Sequence, residues 1–533
     1  MCIQYIHKYH AKYSKNKGGI LVKILRNKRK VNNKGITLIA LVITIIVLLI
    51  LAAVSIATLT GENGILTRVN DAKEETGQAT AKEKVEVEVL GSYDKNGNIS
   101  IEKLNENLEN VEGLISGLPI NKLPATVIVD GYEITIISDG NVVLGKADGS
   151  YNEVKKVNTP KLGSNMELVK YDEVTKQWVV DETNTEYSYE AQTGTTENGG
   201  TSEWANAELD GNYYVWIPRY AYKIDKNTKY TTQDGGESYK IDIKFLIGTT
   251  NKYYDESGNE KEAKIVTNAD EILDTSNTDY YVHPAFTFGN TPLEGLWIGK
   301  YESSKGSNGK IAIVPNATSL ININVSTMFS RAQELSKTDV DAHMLKNTEW
   351  GAAAYLSQSQ YGRNGTEVSV NQCSSYITGT GKGTGSNPIY NSTYSIDEIT
   401  EEQKYNGEIG KLSSTTGNVY GIYDMSGGAW EYVMGVYGTS DSPTAGSSGF
   451  TKFPDDKYYN LYTTTSANNT NIGDALYETS GWNGDSSSFV VSNRPFFYRG
   501  GNYDIASRTG VFSFGRNDGL GHGDGGFRVC LAV

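Results

Sequence analysis

Three cysteines and five histidines carry the strongest claim to redox or metal chemistry here, and their spacing decides what they can do. Cys2, Cys373 and Cys530 stand far apart. They give neither a CxxC metal pair nor a disulfide framework, and Cys373–Cys530 is the one bridge an extracellular chain could form. His7, His10, His283, His343 and His522 are equally dispersed, so a three-histidine metal site is not expected. No Ser/His/Asp or Cys/His grouping pairs a nucleophile with a base. The Asn/Asp-rich loops leave structural calcium open, although none matches a recognised calcium-loop spacing. The expectation is a protein without catalytic residues and without a cofactor.

A different signal lies in the last stretch. From Asn483 to Val533 there is no Lys, Glu, Gln, Met or Trp, and every charge is Arg or Asp. Upstream, Lys and Glu are the usual charged residues, so the composition changes abruptly at the end of the chain.

The elements that must position such residues follow from length and patterning. A chain of 533 residues is too long for one core, and two to four domains are expected. Abundant Tyr and Gly with little Pro favour turn-rich, β-containing structure. The formal net charge of −14 hides an asymmetry, because the first 35 residues hold ten Lys/Arg and no acid. The acidic remainder disfavours nucleic acid as a partner, since phosphate recognition wants a basic patch.

Ile36 to Leu59 contains no charged residue, and as a helix it would span about 36 Å, enough to cross a bilayer. The basic segment before it should stay cytoplasmic, leaving everything after Gly61 outside. A polar helix-forming stretch continues from Gly61, and a second short helix is expected over Ile101–Leu114. ATVIVDGYEITIISDGNVVL then reads as strands divided at Asp130-Gly131 and Asp139-Gly140. Residues 149–210, rich in Thr, Asn, Glu and Gly, read as a connector. GNYYVWIPRYAYKI (211–224) opens a further domain, with Tyr214 and Trp216 assigned to its core.

Two resemblances sharpen this outline. The junction KGITLIALV, with Gly35 followed by Ile36, resembles the processing site of type IV prepilins. That family implies cleavage after Gly35, methylation of Ile36 and packing of the helix in a filament. It also places Glu five residues into the mature chain, where this sequence has Ala40, which puts filament assembly in doubt. GLWIGKYESS (295–304), KNTEWGAAAYLS (346–357), TGNVYGIYDMSGGAWEYVMG (416–435), RGGN (499–502) and GFRV (526–529) resemble the formylglycine-generating-enzyme (sulfatase-modifying factor) domain. Its fold is C-type-lectin-like. The oxidase of that family uses two cysteines just after RGG, and here NYDIASRTG has none. Trp430, Glu431, Arg499, Gly500, Gly501, Phe527 and Arg528 are then scaffold, with Glu431 and Arg528 candidates for an internal ion pair.

Some members of this fold are the variable proteins of diversity-generating retroelements, in which template adenines are randomised. From Asn codons the outcomes exclude Lys, Glu, Gln, Met and Trp, the types missing after Asn483. The resemblance implies a variable region at about 502–525, with Tyr503, Asp504, Ile505, Arg508, Gly515, Arg516, Asn517, Asp518, Leu520, His522 and Asp524 as ligand-binding positions.

The sequence therefore predicts an α+β protein. A leader (1–35) precedes an apolar transmembrane or pilin helix (36–60). A pilin-like helix and small sheet (61–148) follow, then the connector, then a lectin-like domain (211–533). Function is expected to be ligand binding at the cell surface, to an unknown protein or glycan on another cell, a host or a phage. Membrane and pilin subunits are the expected partners of the N-terminal helix. The alternatives are an active formylglycine-generating oxidase and a minor pilin with a structural head.

Overall fold

The computed structural model describes residues 65–533 apart from 96, 138–139, 145–156, 185, 193, 233–234, 256–258, 383–397, 441 and 506–507. The leader, the Gly35–Ile36 junction, Ala40 and the apolar segment 36–60 lie outside the described residues. Among the described residues no helix is long and apolar enough to cross a membrane. The chain mixes helix and sheet, with strand outweighing helix, and divides into two compact units, Met1–Gly145 and Lys146–Val533.

In the smaller unit, helix α1 (Ile65–Leu90) and helix α2 (Ile101–Leu108) cover a four-stranded antiparallel sheet. Its strands are β1 (Leu114–Ser116), β2 (Ala125–Val129), β3 (Tyr132–Ile136) and β4 (Val142–Leu144), in that order. Ala81, Val85 and Val89 recur every fourth residue, the spacing that lines one helical face. They bury against Leu104 and Leu108 of α2 and against Val127, Val129, Ile134 and Ile136 of the sheet. The Ser100 side chain caps α2 by accepting from the Lys103 amide,. Asp130 and Gly131 both have positive φ (53° and 86°) and close the β2–β3 hairpin as the sequence predicts,. The second helix stops at Leu108, short of the expected Leu114. Gly113 turns the chain with φ of 90°, and Leu114 pairs with Val129 at the sheet edge.

The larger unit contains a sheet of seven described strands. They are β5 (Met166–Asp172), β6 (Gln177–Val180), β7 (Asn206–Leu209), β8 (Asn212–Pro218), β9 (Gly295–Gly299), β10 (Asp341–Met344) and the chain's last strand (Val529–Ala532). That last strand lies between β9 and β10, so the C-terminal residues sit inside the sheet. Residues 157–210 are therefore not a connector. β5, β6 and β7 are integral to the sheet, and Met166, Leu168, Tyr171 and Trp204 belong to its core. A few large apolar residues anchor this stretch although polar residues dominate its composition. Residues 212–218 accordingly continue a sheet already begun, whereas 220–224 open a strand of a separate three-stranded sheet. Tyr214 and Trp216 are buried, as assigned, and Trp216 packs on Trp297 with ring centroids 5.1 Å apart.

Helix α3 (Asn347–Gln358) runs through the core, with Trp350, Ala352, Ala353, Ala354 and Tyr355 fully buried. Beyond it, β11 (Trp430–Thr439) organises a second sheet. It pairs antiparallel with β12 (Phe496–Arg499) and parallel with β14 (Gly525–Phe527), while β13 (Phe514–Asn517) lies antiparallel beside β12. The segment from 496 onward thus contributes strands to both sheets, and the Val529–Ala532 strand is β15.

Candidate functional site

The framework under the C-terminal segment begins at Arg499, the last residue of β12, whose guanidinium is fully buried. It donates to Asn347 Oδ1 (3.2 Å) and to the carbonyls of Asp474 (2.9 Å) and Ala475 (3.1 Å), and it lies over the rings of Trp350 and Phe514. Gly501 follows with φ of 73°, and a Cβ there would come within 2.9 Å of the Thr509 backbone, so the turn needs glycine,. Phe512, Phe514 and Phe527 are buried, and Gly500 and Gly501 with them.

Arg528 and Glu431 form the expected internal ion pair. Arg528 Nε donates to Glu431 Oε2 at 2.9 Å and Nη2 to Oε1 at 2.5 Å, with both side chains fully buried. The remaining guanidinium protons reach the carbonyls of Gly299 (2.7 Å) and Tyr423 (2.8 Å), tying β9 to the 416–428 loop. Two further buried carboxylates crowd this pair. Asp424 accepts from the Gly379 amide (2.9 Å) and from Asn371 Nδ2 (2.9 Å). Glu302 accepts from the Ala429 amide (2.9 Å) and from the Ser319 hydroxyl. Burial, reinforced by the charges of Asp424 and Glu431, holds the Glu302 carboxyl well above its usual range,.

The predicted ligand-binding positions divide cleanly by exposure. Asp504, Arg508 and Leu520 are exposed, and Leu520 leaves 49% of its surface open. Tyr503, Ile505, Arg516, Asn517, Asp518, His522 and Asp524 are half-buried. Gly515 is the exception. It is buried opposite Tyr498 in the β12–β13 ladder, and a Cβ there would lie 2.4 Å from the Tyr498 ring. Gly515 therefore belongs to the framework, because close strand approach leaves no room for a variable side chain.

Two clusters emerge among the exposed and half-buried positions. The Tyr503 amide donates to the Gly428 carbonyl (3.0 Å) and the Trp430 amide to the Asp524 carbonyl (2.8 Å), which brings both ends of the segment to one loop. His522 Nε2 lies 3.5 Å from Asp518 Oδ1, and the Tyr432 hydroxyl holds the Leu520 carbonyl (3.0 Å). Arg516 Nη1 donates to the Phe489 carbonyl (2.8 Å). Tyr376 joins the first cluster from outside the segment, edge-on to Tyr503 with centroids 5.4 Å apart. Burial, and then the negative fields of Tyr503, Asp524 and Asp504, push its hydroxyl up to about 12. Sequence reasoning missed Tyr376. It lies outside every motif, and nothing local signals that its φ is 53°.

Metal-type donors converge elsewhere. His343, Glu349 and Cys530, all buried, bring ligand-type atoms within 4.8 Å of one another. The cross-strand pairing of His343 with Cys530 places two of them, and the start of α3 supplies Glu349. Lys346 Nζ is 3.2 Å from Glu349 Oε1, and His343 Nε2 is 3.1 Å from the same oxygen. His343 Nδ1 lies 3.5 Å from Asp341 Oδ1, and Lys457 Nζ reaches Asp341 Oδ2 at 2.9 Å. Positive and negative groups thus alternate from Lys457 to Lys346. Despite burial, Lys346 and His343 hold Glu349 down at about 2, and the two carboxylates raise His343. The cluster contains a single histidine. Cys373 and Cys530 are both buried and are not joined in a disulfide.

Comparison with protein families and with curated proteins gives no match for this chain.

Proposed function

We propose that this protein is a surface-displayed binding protein. A pilin-like N-terminal helix anchors it, and a C-type-lectin-like domain carries a diversified ligand surface. The observation that supports this reading is a coincidence of two independent patterns. Between Asn483 and Val533 the absent residue types are those unreachable from randomised Asn codons. Within the same segment, the proposed variable positions other than Gly515 keep solvent access, while Phe512, Phe514, Phe527, Arg499 and Arg528 are buried. Randomisation is tolerable only where packing does not depend on the side chain. The cluster also has the composition of a recognition surface, since Tyr and Arg often dominate binding energy. The lectin-like fold does not itself point to a sugar.

The test needs no ligand. Deep sequencing of the 3′ end of the gene across a cell population should show substitutions at the first two bases of the codons for Tyr503, Asp504, Arg516 and His522. The codons for Phe512, Phe527 and Arg528 should stay fixed. An invariant 3′ end, with no A-rich near-copy beside a reverse transcriptase gene, would overturn the proposal.

A further inference from the structure

Lys300 follows β9 directly, and its side chain is fully buried. A buried ammonium ordinarily requires a carboxylate partner. Among the described residues none makes an ion pair with it, and burial alone acts on its charge, pulling the ammonium well below its usual range. Three uncharged oxygens surround it instead: Asn206 Oδ1 at 2.8 Å, the Val419 carbonyl at 2.6 Å and the Gly421 carbonyl at 3.0 Å. Asn206 Nδ2 donates to the carbonyls of Trp204 (2.8 Å) and Tyr420 (2.9 Å), which fixes Oδ1 toward the lysine. The ring of Trp178 lies 4.5 Å from Nζ, adding a π face to the cradle,. An ammonium has three N–H bonds for three acceptors, whereas a neutral amine has only two and would leave one oxygen facing a lone pair. The cradle is complementary to the charged form.

We infer that Asn206 Oδ1 and the carbonyls of Val419 and Gly421 form a site for a monovalent, ammonium-type cation, occupied in cis by the Lys300 side chain. Calcium sites use carboxylates, and this one offers only uncharged oxygens, the donor set that suits a weakly hydrated monovalent ion. The tethered cation joins β7 to the 416–428 loop. The Tyr423 amide donates to the Lys300 carbonyl (2.8 Å), and the same loop continues to Gly428, whose carbonyl takes the Tyr503 amide. The loop beneath the C-terminal segment is thus held by the chain's own charge, with no dissolved metal ion required. This inference stands on the cradle geometry and does not depend on diversification of the surface.

The experiment compares the full chain with Lys300→Ala and Lys300→Met by thermal unfolding. Tryptophan fluorescence reports the larger unit, which holds all seven Trp. Lys300→Ala should lower Tm by roughly 8 °C. Methylammonium chloride should restore at least half of that loss, while sodium or calcium chloride at equal ionic strength should not. Lys300→Met fills the slot without charge and should stay destabilised in every salt. Should Lys300→Ala fail to fold, refolding that succeeds in methylammonium and fails in sodium supports the site, and refolding equally poor in both overturns it. Wild-type stability in Lys300→Met or absence of methylammonium rescue also overturns it.

Discussion

Side chains between Tyr503 and Asp524 differ sharply in what the fold asks of them. Tyr503, Arg516 and His522 are half-buried with solvent access, and replacing such a side chain costs about 1 kcal/mol or less, well below the cost of emptying a core position,. Phe527 is buried in β14 beside Tyr432, where truncation to Ala costs about 3–5 kcal/mol,. The triple variant Tyr503→Ala, Arg516→Ala, His522→Ala should therefore melt within a few degrees of wild type. Phe527→Ala should melt far lower, and so should Gly515→Ala, because its new methyl meets the Tyr498 ring. Thermal unfolding of the three proteins side by side decides the point. A triple variant that unfolds with Phe527→Ala would show that these positions carry the fold and cannot be free to vary. The Arg528–Glu431 pair was readable in advance because two opposite charges within otherwise apolar motifs have to meet. Gly515 was misread because a glycine in a heterogeneous run looks like a variable position. Only the strand pairing reveals the tyrosine pressed against it.

Legibility was uneven among the elements for physical reasons. Helix α1 and the β2–β3 hairpin were visible because each has a local cause: helix-forming composition in one, Asp130-Gly131 in the other,. Strands β5 to β7 were invisible because their stability is not local. Leu168 pairs with Ala207 and Val169 with Val180, contacts that no window of polar Thr, Asn and Glu announces,. The His343–Glu349–Cys530 cluster was equally hidden, since cross-strand pairing joins residues nearly two hundred positions apart in a chain where both types are rare. At the N-terminus the opposite holds, and a short linear signal carries the whole argument. Basic residues, Gly35, and then an uncharged run from Ile36 should direct cleavage between Gly35 and Ile36. Mass spectrometry of protein recovered from the cell surface should find Ile36 first, carrying an N-methyl group. A mature chain that retains residues 1–35 would leave a plain signal anchor in place of the pilin-like helix.

Over the whole molecule, buried acids set the response to pH. Burial raises Glu478 to about 7 and Asp474 to about 6, although Tyr222, Tyr355 and the Gly473 amide donate to Glu478 and Tyr462 donates to Asp474. Glu431 is raised to about 7, and Glu302 and Asp424 are raised with it, because burial of three carboxyls outweighs one Arg528. A carboxyl whose pKa is higher in the folded state stabilises the fold fully below its unfolded value, and that contribution is lost as pH rises through the folded value. Each removes up to about 1.4 kcal/mol per pH unit across that interval. His283 works in the opposite direction. Burial holds it down to about 3, so its contribution is present above the unfolded histidine value and declines as pH falls from there toward 3. Several raised carboxyls outweigh that one histidine between pH 5 and 7, and the acidic net charge of −14 adds repulsion that grows with pH,. Below that window, Glu349 and Asp341, both held at about 2 by neighbouring cations, set the acid limit. Tm should therefore be highest near pH 5 and should fall by several degrees toward pH 8. Glu478→Gln keeps the shape of the protonated acid and cannot ionise, so it should melt higher than wild type at pH 8 and close to it at pH 5. A wild-type profile that is flat or rising from pH 5 to 8, or a Glu478→Gln variant that loses stability equally at both ends, would mean that these acids are ionised within the fold.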